Sequence, residues 1–468
     1  MKKALLLLAA VLMLPMYTFA QNGWGLESAA AHGWEFESVL PADSSVVGIH
    51  GLAFDHDGRL WAAYHYTATI DGEASNVIYC IDPATRDYCE DIPYITGTVQ
   101  GDTLLRFSNH RGLATAPDGT ILVFTAGYRD NTTFEAVGGT PYIHRFDPAT
   151  GDGIAAVGVP DMGPIHGAVD KYGDIFISSV LPDHPIVMMD SDFEFVLNVT
   201  ESRSGYARTI AVFTDENDVT RVYQPTDFTT VFGEGDDVEE VGGRVEIYEG
   251  DFIDGFEVLD TLSLIGMDPG AIAMYPENGV LFVSASGSGN APLGDPERWD
   301  ATTVYGINVK GAGDIEVLEQ FVWHIGDADP YNPVFRGMAI SNDGLNLAVG
   351  GFTTSAPVQW FTRDSVLQIE TSAGERLTDL PEGYNLGQNY PNPFNPTTQI
   401  SFEIGQAGMT SLKVYDLLGR EVATLLNSDL PAGSHSVDFD AANLASGTYM
   451  YRLEANGYVL TRKMMLVK

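Results

Sequence analysis

The middle of the chain alternates short apolar runs with acidic, glycine-bearing turns. Gly51-Leu52-Ala53-Phe54 leads into Asp55-His56-Asp57-Gly58, and Arg59-Leu60-Trp61-Ala62 follows as a second run. Two such runs flanking an Asp-x-Asp-Gly turn predict a hairpin, since glycine adopts the positive φ that reverses a chain without steric cost. The pattern recurs at Gly112-Leu113-Ala114, turning at Asp118-Gly119-Thr120 into Ile121-Leu122-Val123. It recurs again at Gly167-Ala168-Val169, turning through Gly173-Asp174 into Ile175-Phe176-Ile177. Weaker copies start near Thr209, with a turn at 215–218, and at Gly270-Ala271-Ile272, with a turn at Glu277-Asn278-Gly279. The last copy, Gly337-Met338-Ala339-Ile340, turns at Asn342-Asp343-Gly344. Several pairs continue into a third strand and a second turn: 77–81 before Asp82-Pro83-Ala84-Thr85, and 142–146 before Asp147-Pro148-Ala149-Thr150-Gly151.

Six copies, roughly forty to seventy residues apart, with four hairpin-connected strands each, predict an all-β, six-bladed β-propeller. One such sheet cannot bury both faces alone, so blades pack around an axis. The sixth copy lacks a clear outer strand. Either 34–39 at the start or 365–370 at the end closes the ring.

Beyond residue 370 the pattern changes. Residues 371–383 lead into Tyr384-Asn385-Leu386-Gly387-Gln388-Asn389-Tyr390-Pro391-Asn392-Pro393-Phe394-Asn395-Pro396-Thr397-Thr398, whose prolines and asparagines force an extended, turn-rich path. Period-two strands follow, with Ile400, Phe402 and Ile404 alternating with polar residues, and predict a small antiparallel sandwich. The expected organisation is a leader at 1–20, the propeller at 21–376, a linker at 377–384 and a second domain at 385–468.

Composition supports folded β-structure. Of 468 residues, 44% are hydrophobic, and 50 glycines and 24 prolines favour turns over long helices. The formal net charge of −40 excludes nucleic acid and anionic membrane surfaces as partners, because both repel such a chain. Lys2 and Lys3, the apolar run 4–16 and Thr18-Phe19-Ala20 form a basic, apolar and small-residue series that predicts a secretory signal peptide cut after Ala20. The run is short for a membrane span, and no transmembrane segment is expected elsewhere. Cys80 and Cys89 flank the turn at 82–85 and face each other across a hairpin, either as a disulfide in an oxidising compartment or as two buried thiols.

The candidate chemistry lies immediately before each opening glycine, at the start of the innermost strand. Those residues are His50, Arg111, His166, Arg208 and Arg336, with Asp268-Pro269 in the fifth copy. Two readings stand. The five form a basic funnel that holds a carboxylate or phosphate, or they brace blades by pairing with nearby aspartates. Long connections at 66–76, 128–140, 226–242 and 287–301 would rise from the same face, with His65 and Arg129 at the base of two of them as further ligand-binding residues. His50 and His166 are candidate general bases, and the arginines candidate oxyanion stabilisers. No metal set is expected, because His50, His65, His110 and His166 lack recognised ligand spacing. The cofactor stays unknown; a structural calcium ion is compatible with the acidic turns at 215–218 and 235–240, which lack the spaced ligands and terminal Glu of a calcium loop. The chain carries no H-E-x-x-H, G-x-S-x-G, P-loop or C-x-x-C motif.

On its strand–Asp-x-Asp-Gly–strand signature, the body resembles the NHL and SMP-30/gluconolactonase group of six-bladed propellers. That resemblance implies an architecture and transfers no catalytic residue. The C-terminal segment resembles the type A sorting domain of the Bacteroidetes-type (type IX) secretion system. The shared motifs are Tyr390-Pro391-Asn392-Pro393-Phe394-Asn395-Pro396-Thr397-Thr398, Val414-Tyr415-Asp416-Leu417-Leu418-Gly419-Arg420, Phe439-Asp440-Ala441 through Ser446-Gly447-Thr448-Tyr449, and the terminal Arg462-Lys463-Met464 to Lys468. This resemblance implies an Ig-like sandwich, recognition by the outer-membrane translocon, and then removal of the domain with release or surface attachment. The cargo is expected outside the cell or on its surface. It binds an anionic or glycan ligand in the funnel, or else is a lyase- or lactonase-type enzyme acting on an anionic carbohydrate.

Overall fold

The computed structural model describes residues 35–365 and 384–468, apart from internal segments of which 40–47, 286–302 and 323–334 are the longest. Residues 1–20, expected to be a leader, lie outside the described residues.

Six four-stranded antiparallel sheets make up the body. The first blade runs Ile49–Phe54, Leu60–Ile70, Glu73–Ile81 and Tyr94–Ile95. The second runs His110–Thr115, Ile121–Thr125, Tyr142–Phe146 and Gly153–Gly158. The third runs Ile165–Val169, Ile175–Ser179, Ile186–Met189 and Phe195–Thr200. The fourth and fifth begin at Ala211–Thr214 and Pro269–Met274. The sixth takes Phe335–Ile340, Asn346–Gly351 and Val358–Thr362 and is completed by Glu35–Val39, which pairs antiparallel with Val358–Thr362. Of the two candidate closing strands, the N-terminal one therefore shuts the ring, and it staples the two ends of the body together.

The core explains why the sheets form a ring. Its buried clusters each draw side chains from two adjacent blades. Trp61, Ile78 and Phe107 meet Val123 and Phe146 between blades one and two, and Leu122 and Phe124 meet Ile165 and Ile177 between two and three. The series continues through blades three to six and ends where Ile49, Leu52 and Phe54 pack on Ala348, Val358 and Trp360, between six and one. No blade owns its core, so the apolar faces are satisfied only when the circle closes.

The inner turns are built as the repeat suggests. Asp55 Oδ1 accepts the Asp57 and Arg59 amides at 3.0 and 2.9 Å, while Oδ2 accepts Arg59 Nε at 2.7 Å and the indole of buried Trp61 at 2.9 Å. Asp170 and Asp215 accept turn amides in the same manner. Gly58, Gly119, Gly173, Gly279 and Gly344 hold the positive-φ position, at +79°, +89°, +89°, +73° and +67°. In the fourth blade the corresponding left-handed residue is Asp218, at +64°.

The connections expected as loops are partly ordered as hairpin arms. Within 66–76 the described residues are mostly strand: Leu60–Ile70 and Glu73–Ile81 continue pairing to Ile70↔Glu73 beyond a bulge. Short hairpins sit within 128–140 and 226–242, while 287–301 lies outside the described residues. An additional hairpin, Gly97–Gln100 with Thr103–Arg106, precedes the second blade.

Cys80 and Cys89 form a disulfide, with Cα atoms 5.4 Å apart. Closing so short a loop restricts the unfolded chain, and its loss costs about 2–3 kcal/mol. Replacing both cysteines by Ala is expected to lower the denaturation midpoint accordingly, and reductant should lower the midpoint of the parent protein but not that of the variant.

The C-terminal domain packs a three-stranded sheet (Asn385–Leu386, Thr397–Ile404, Gly433–Asp440) on a four-stranded one (Gly408–Tyr415, Glu421–Leu430, Gly447–Ala455, Tyr458–Leu466). Strict alternation of exposed and buried residues along Thr397–Ile404 places Ile400, Phe402 and Ile404 in one core with Leu412, Val414, Tyr451 and Leu453.

Candidate functional site

The inner strands of the blades line an axial cavity of about 180 Å³. His50, Arg111, His166, Arg208 and Arg336 all border it, although they come from five blades and span 286 positions of sequence (336 − 50). His50 and His166 are buried, whereas the three arginines are partly exposed. Arg111 Nη1 approaches His50 Nδ1 at 3.4 Å. Because guanidinium only donates, His50 Nδ1 is the acceptor there and the imidazole carries its hydrogen on Nε2. Among the described residues lining the cavity there is no carboxylate. The fifth blade's Asp268, at the equivalent position, lies outside the described residues, and so do the side chains of His65 and Arg129. His65 belongs to the strand Leu60–Ile70, and Arg129 to the two-residue strand Tyr128–Arg129.

The rest of the lining is mixed, with Leu52, Leu113, Ala168, Ile210 and Ile272 beside Thr115, Thr209 and Asn342. A cavity with such a basic level can seat a small anionic group and shield its ion pairs from bulk water, which strengthens them. The residues that make this convergence possible were visible in the repeat but read only as strand markers. They are the glycines that follow the basic residues. A Cβ on Gly51 would lie 2.8 Å from the backbone of Gly112, and one on Gly167 would lie 2.3 Å from Phe124. Glycine there lets the inner strands approach closely enough for neighbouring basic side chains to share one cavity.

Next to the site, His110 begins the inner strand of blade two and is fully buried. Its Nδ1 donates to the Tyr64 carbonyl at 3.0 Å. His144 lies behind it, with Nδ1 2.8 Å from Thr98 Oγ1, and the ring of Phe107 meets both imidazoles edge-on. Burial holds His110 down to about 4, and burial together with the charge of His110 holds His144 down to about 4. Both rings are therefore neutral, structural members of the blade. Among the described residues no group of three or more His, Cys, Asp or Glu is placed to hold a metal ion, and no helix is long and apolar enough to cross a membrane.

Comparison with known proteins separates the two parts of the chain. Residues 388–468 match the family model of the secretion system C-terminal sorting domain. That domain marks the protein as cargo of type IX secretion, secreted or displayed on the outer surface. Among curated proteins none matches the chain. Solved structures similar to it include the PQQ domain of pyranose dehydrogenase from Coprinopsis cinerea, at 12% identity and a TM-score of 0.43 over 71% of this chain and 96% of that one. A protein of unknown function from Bacteroides thetaiotaomicron is similar at 10% identity, with a TM-score of 0.41 over 70% and 76%. A gluconolactonase from Xanthomonas campestris is similar at 21% identity, with a TM-score of 0.20 over 38% and 68%. Likenesses of this size carry no argument about activity, and the propeller rests on the strand order and inter-blade cores of this chain itself.

Proposed function

We propose that the body is an extracellular binding propeller that takes an anionic group, from a glycan or a small acid, into its axial cavity. Arg111, Arg208 and Arg336 clamp the anion, and His50 and His166 contribute hydrogen-bond donors. The observation that carries this reading is the convergence of three arginines and two histidines on one cavity in a chain of net charge −40. An anion that reaches several guanidinium groups at once is held by charge-assisted hydrogen bonds, which are stronger than those between neutral groups.

Binding is favoured over catalysis by the pairing at His50. A general base needs a free imidazole lone pair, and His50 Nδ1 already accepts from Arg111. The alternative reading is a lyase or lactonase with a histidine base, for which His166 is the candidate.

Calorimetric titration with uronic acid oligomers, and with the same sugars carboxyl-reduced, tests the proposal. Acidic oligomers are expected to bind and reduced ones not. Arg111→Ala and Arg208→Ala should each weaken binding about 10–100-fold, in line with a charge-assisted hydrogen bond of about 1.5–3 kcal/mol. Affinity that is indifferent to both substitutions and to the carboxylate overturns it. Turnover of these substrates that disappears with His166→Ala would establish the enzymatic reading instead.

A further inference from the structure

The outer face of the C-terminal four-stranded sheet carries Met409 near one end and Met450 near the other. Along Gly447–Ala455, Tyr449, Tyr451, Leu453 and Ala455 point into the sandwich core, so Met450, Arg452 and Glu454 point outward. On the neighbouring strand, Tyr415 pairs with Met450 and Lys413 with Arg452. An outward methionine on an isolated sandwich is expected to be exposed, as Met409 is at 55%. Met450 is only 3% exposed, because it lies in the apolar cluster of blades three and four with Phe176, Val212 and Tyr248, and Tyr415 packs against the same cluster.

A charged contact accompanies the apolar one. Asp218 lies in the inner turn of blade four, and its side chain is 2% exposed. Lys171 Nζ reaches its Oδ1 at 2.8 Å, and the Tyr172 hydroxyl donates to the same oxygen. Arg462, on the edge strand of the sandwich, brings Nη1 to 3.4 Å from Oδ2. The sequence is unusual on the body side. Asp218 holds a left-handed conformation that glycine holds in the other inner turns, at a cost of about 1 kcal/mol. Lys171 is one of two lysines between residues 21 and 370, the other being Lys310.

We propose that the turn face of blades three and four is a docking surface for the chain's own sorting domain, with Met450 as its apolar anchor and the Asp218–Arg462 pair as its charged one. The exported protein then travels as one body with the terminal strand Tyr458–Leu466 held in a fixed orientation. The inner turns lie at the opposite end of the blades from the starts of the inner strands, so docking leaves the mouth of the basic funnel uncovered. This inference does not depend on what the funnel binds.

Small-angle X-ray scattering of the full chain tests it, with Met450→Asp as the disruptive variant and Met409→Asp as a surface control. The parent protein and Met409→Asp should scatter as one compact particle, while Met450→Asp should enlarge the radius of gyration by roughly a tenth or more. Hydrogen exchange gives a second reading: amides at 171–173 and 214–220 should lose protection in Met450→Asp and in Arg462→Gln while the sandwich strands keep theirs. Parent scattering that already requires two independently moving domains overturns the proposal, as does a Met450→Asp profile and exchange pattern identical to the parent's.

Discussion

Arg363→Met is expected to destabilise the body by about 3–5 kcal/mol, the cost of leaving a buried carboxylate without its partner. Arg363 follows the last strand of blade six, and its Nη1 lies 3.3 and 3.4 Å from the two carboxylate oxygens of Glu319 in blade five. Its Nε donates to the Gly344 carbonyl at 3.1 Å. The side chains are 2% and 0% exposed, so water replaces neither group when the other is removed. The site is shaped around the acid as well: a Cβ on Gly306 would come within 2.8 Å of Glu319 Cγ. The pair joins the blade that the N-terminal strand closes to the blade before it, so the loss should appear as early opening of that junction. Glu319→Gln in the Arg363→Met background is expected to restore much of the loss, because it removes the uncompensated charge. Urea denaturation followed by near-ultraviolet circular dichroism measures all three proteins. Equal stability of the parent and Arg363→Met would show that the pair does no more than fill space.

The second large effect is acid sensitivity centred on His110 and His144. Their folded values near 4 lie below the ordinary imidazole value of 6.5, so the unfolded chain binds more protons throughout that interval. The stability these rings contribute is thus complete above pH 6.5, declines as the pH falls, and is gone below about 4. A shift of this size corresponds to about 3 kcal/mol per imidazole. Geometry supplies the reason: once His110 Nδ1–H is committed to Tyr64, protonation adds a hydrogen at Nε2, which has no acceptor among the described residues. Neutralising carboxylates in a chain of charge −40 relieves repulsion over the same pH range. The diagnostic is therefore the difference between the parent and His110→Gln/His144→Gln, measured by chemical denaturation at pH 7.5 and 4.5. The parent should lose more stability than the variant between the two; parallel losses would exclude the pair as the acid-labile element.

Much of the architecture was legible along the chain, because a blade announces itself locally. The Asp-x-Asp-Gly turns and the apolar runs beside them set the hairpins, and inner turns hold glycine at positive φ as the motif requires. Pairing of Tyr142–Phe146 with Ile121–Thr125 follows from the same signals. Where the signal was compositional, the reading was looser. Residues 66–76 are expected from the sequence only as a long connection, yet backbone pairing from Thr67↔Asn76 to Ile70↔Glu73 extends the flanking strands into them as a hairpin arm. Alternation reports side-chain burial, and an arm projecting from the sheet need not bury either face.

Sequence alone determined a sixfold β repeat, its turn chemistry, the C-terminal sorting motifs and the acidic charge, all of which are set by residues a few positions apart. Tertiary structure decided what depends on residues far apart. It chose 35–39 over the C-terminal alternative to close the ring, brought His50 and Arg336 to one cavity, paired Glu319 with Arg363 and seated Met450 in a cluster of the body. The physical reason is shared: a turn needs only local backbone geometry, whereas a buried partner is defined by which faces remain uncovered once every blade has packed against its neighbours.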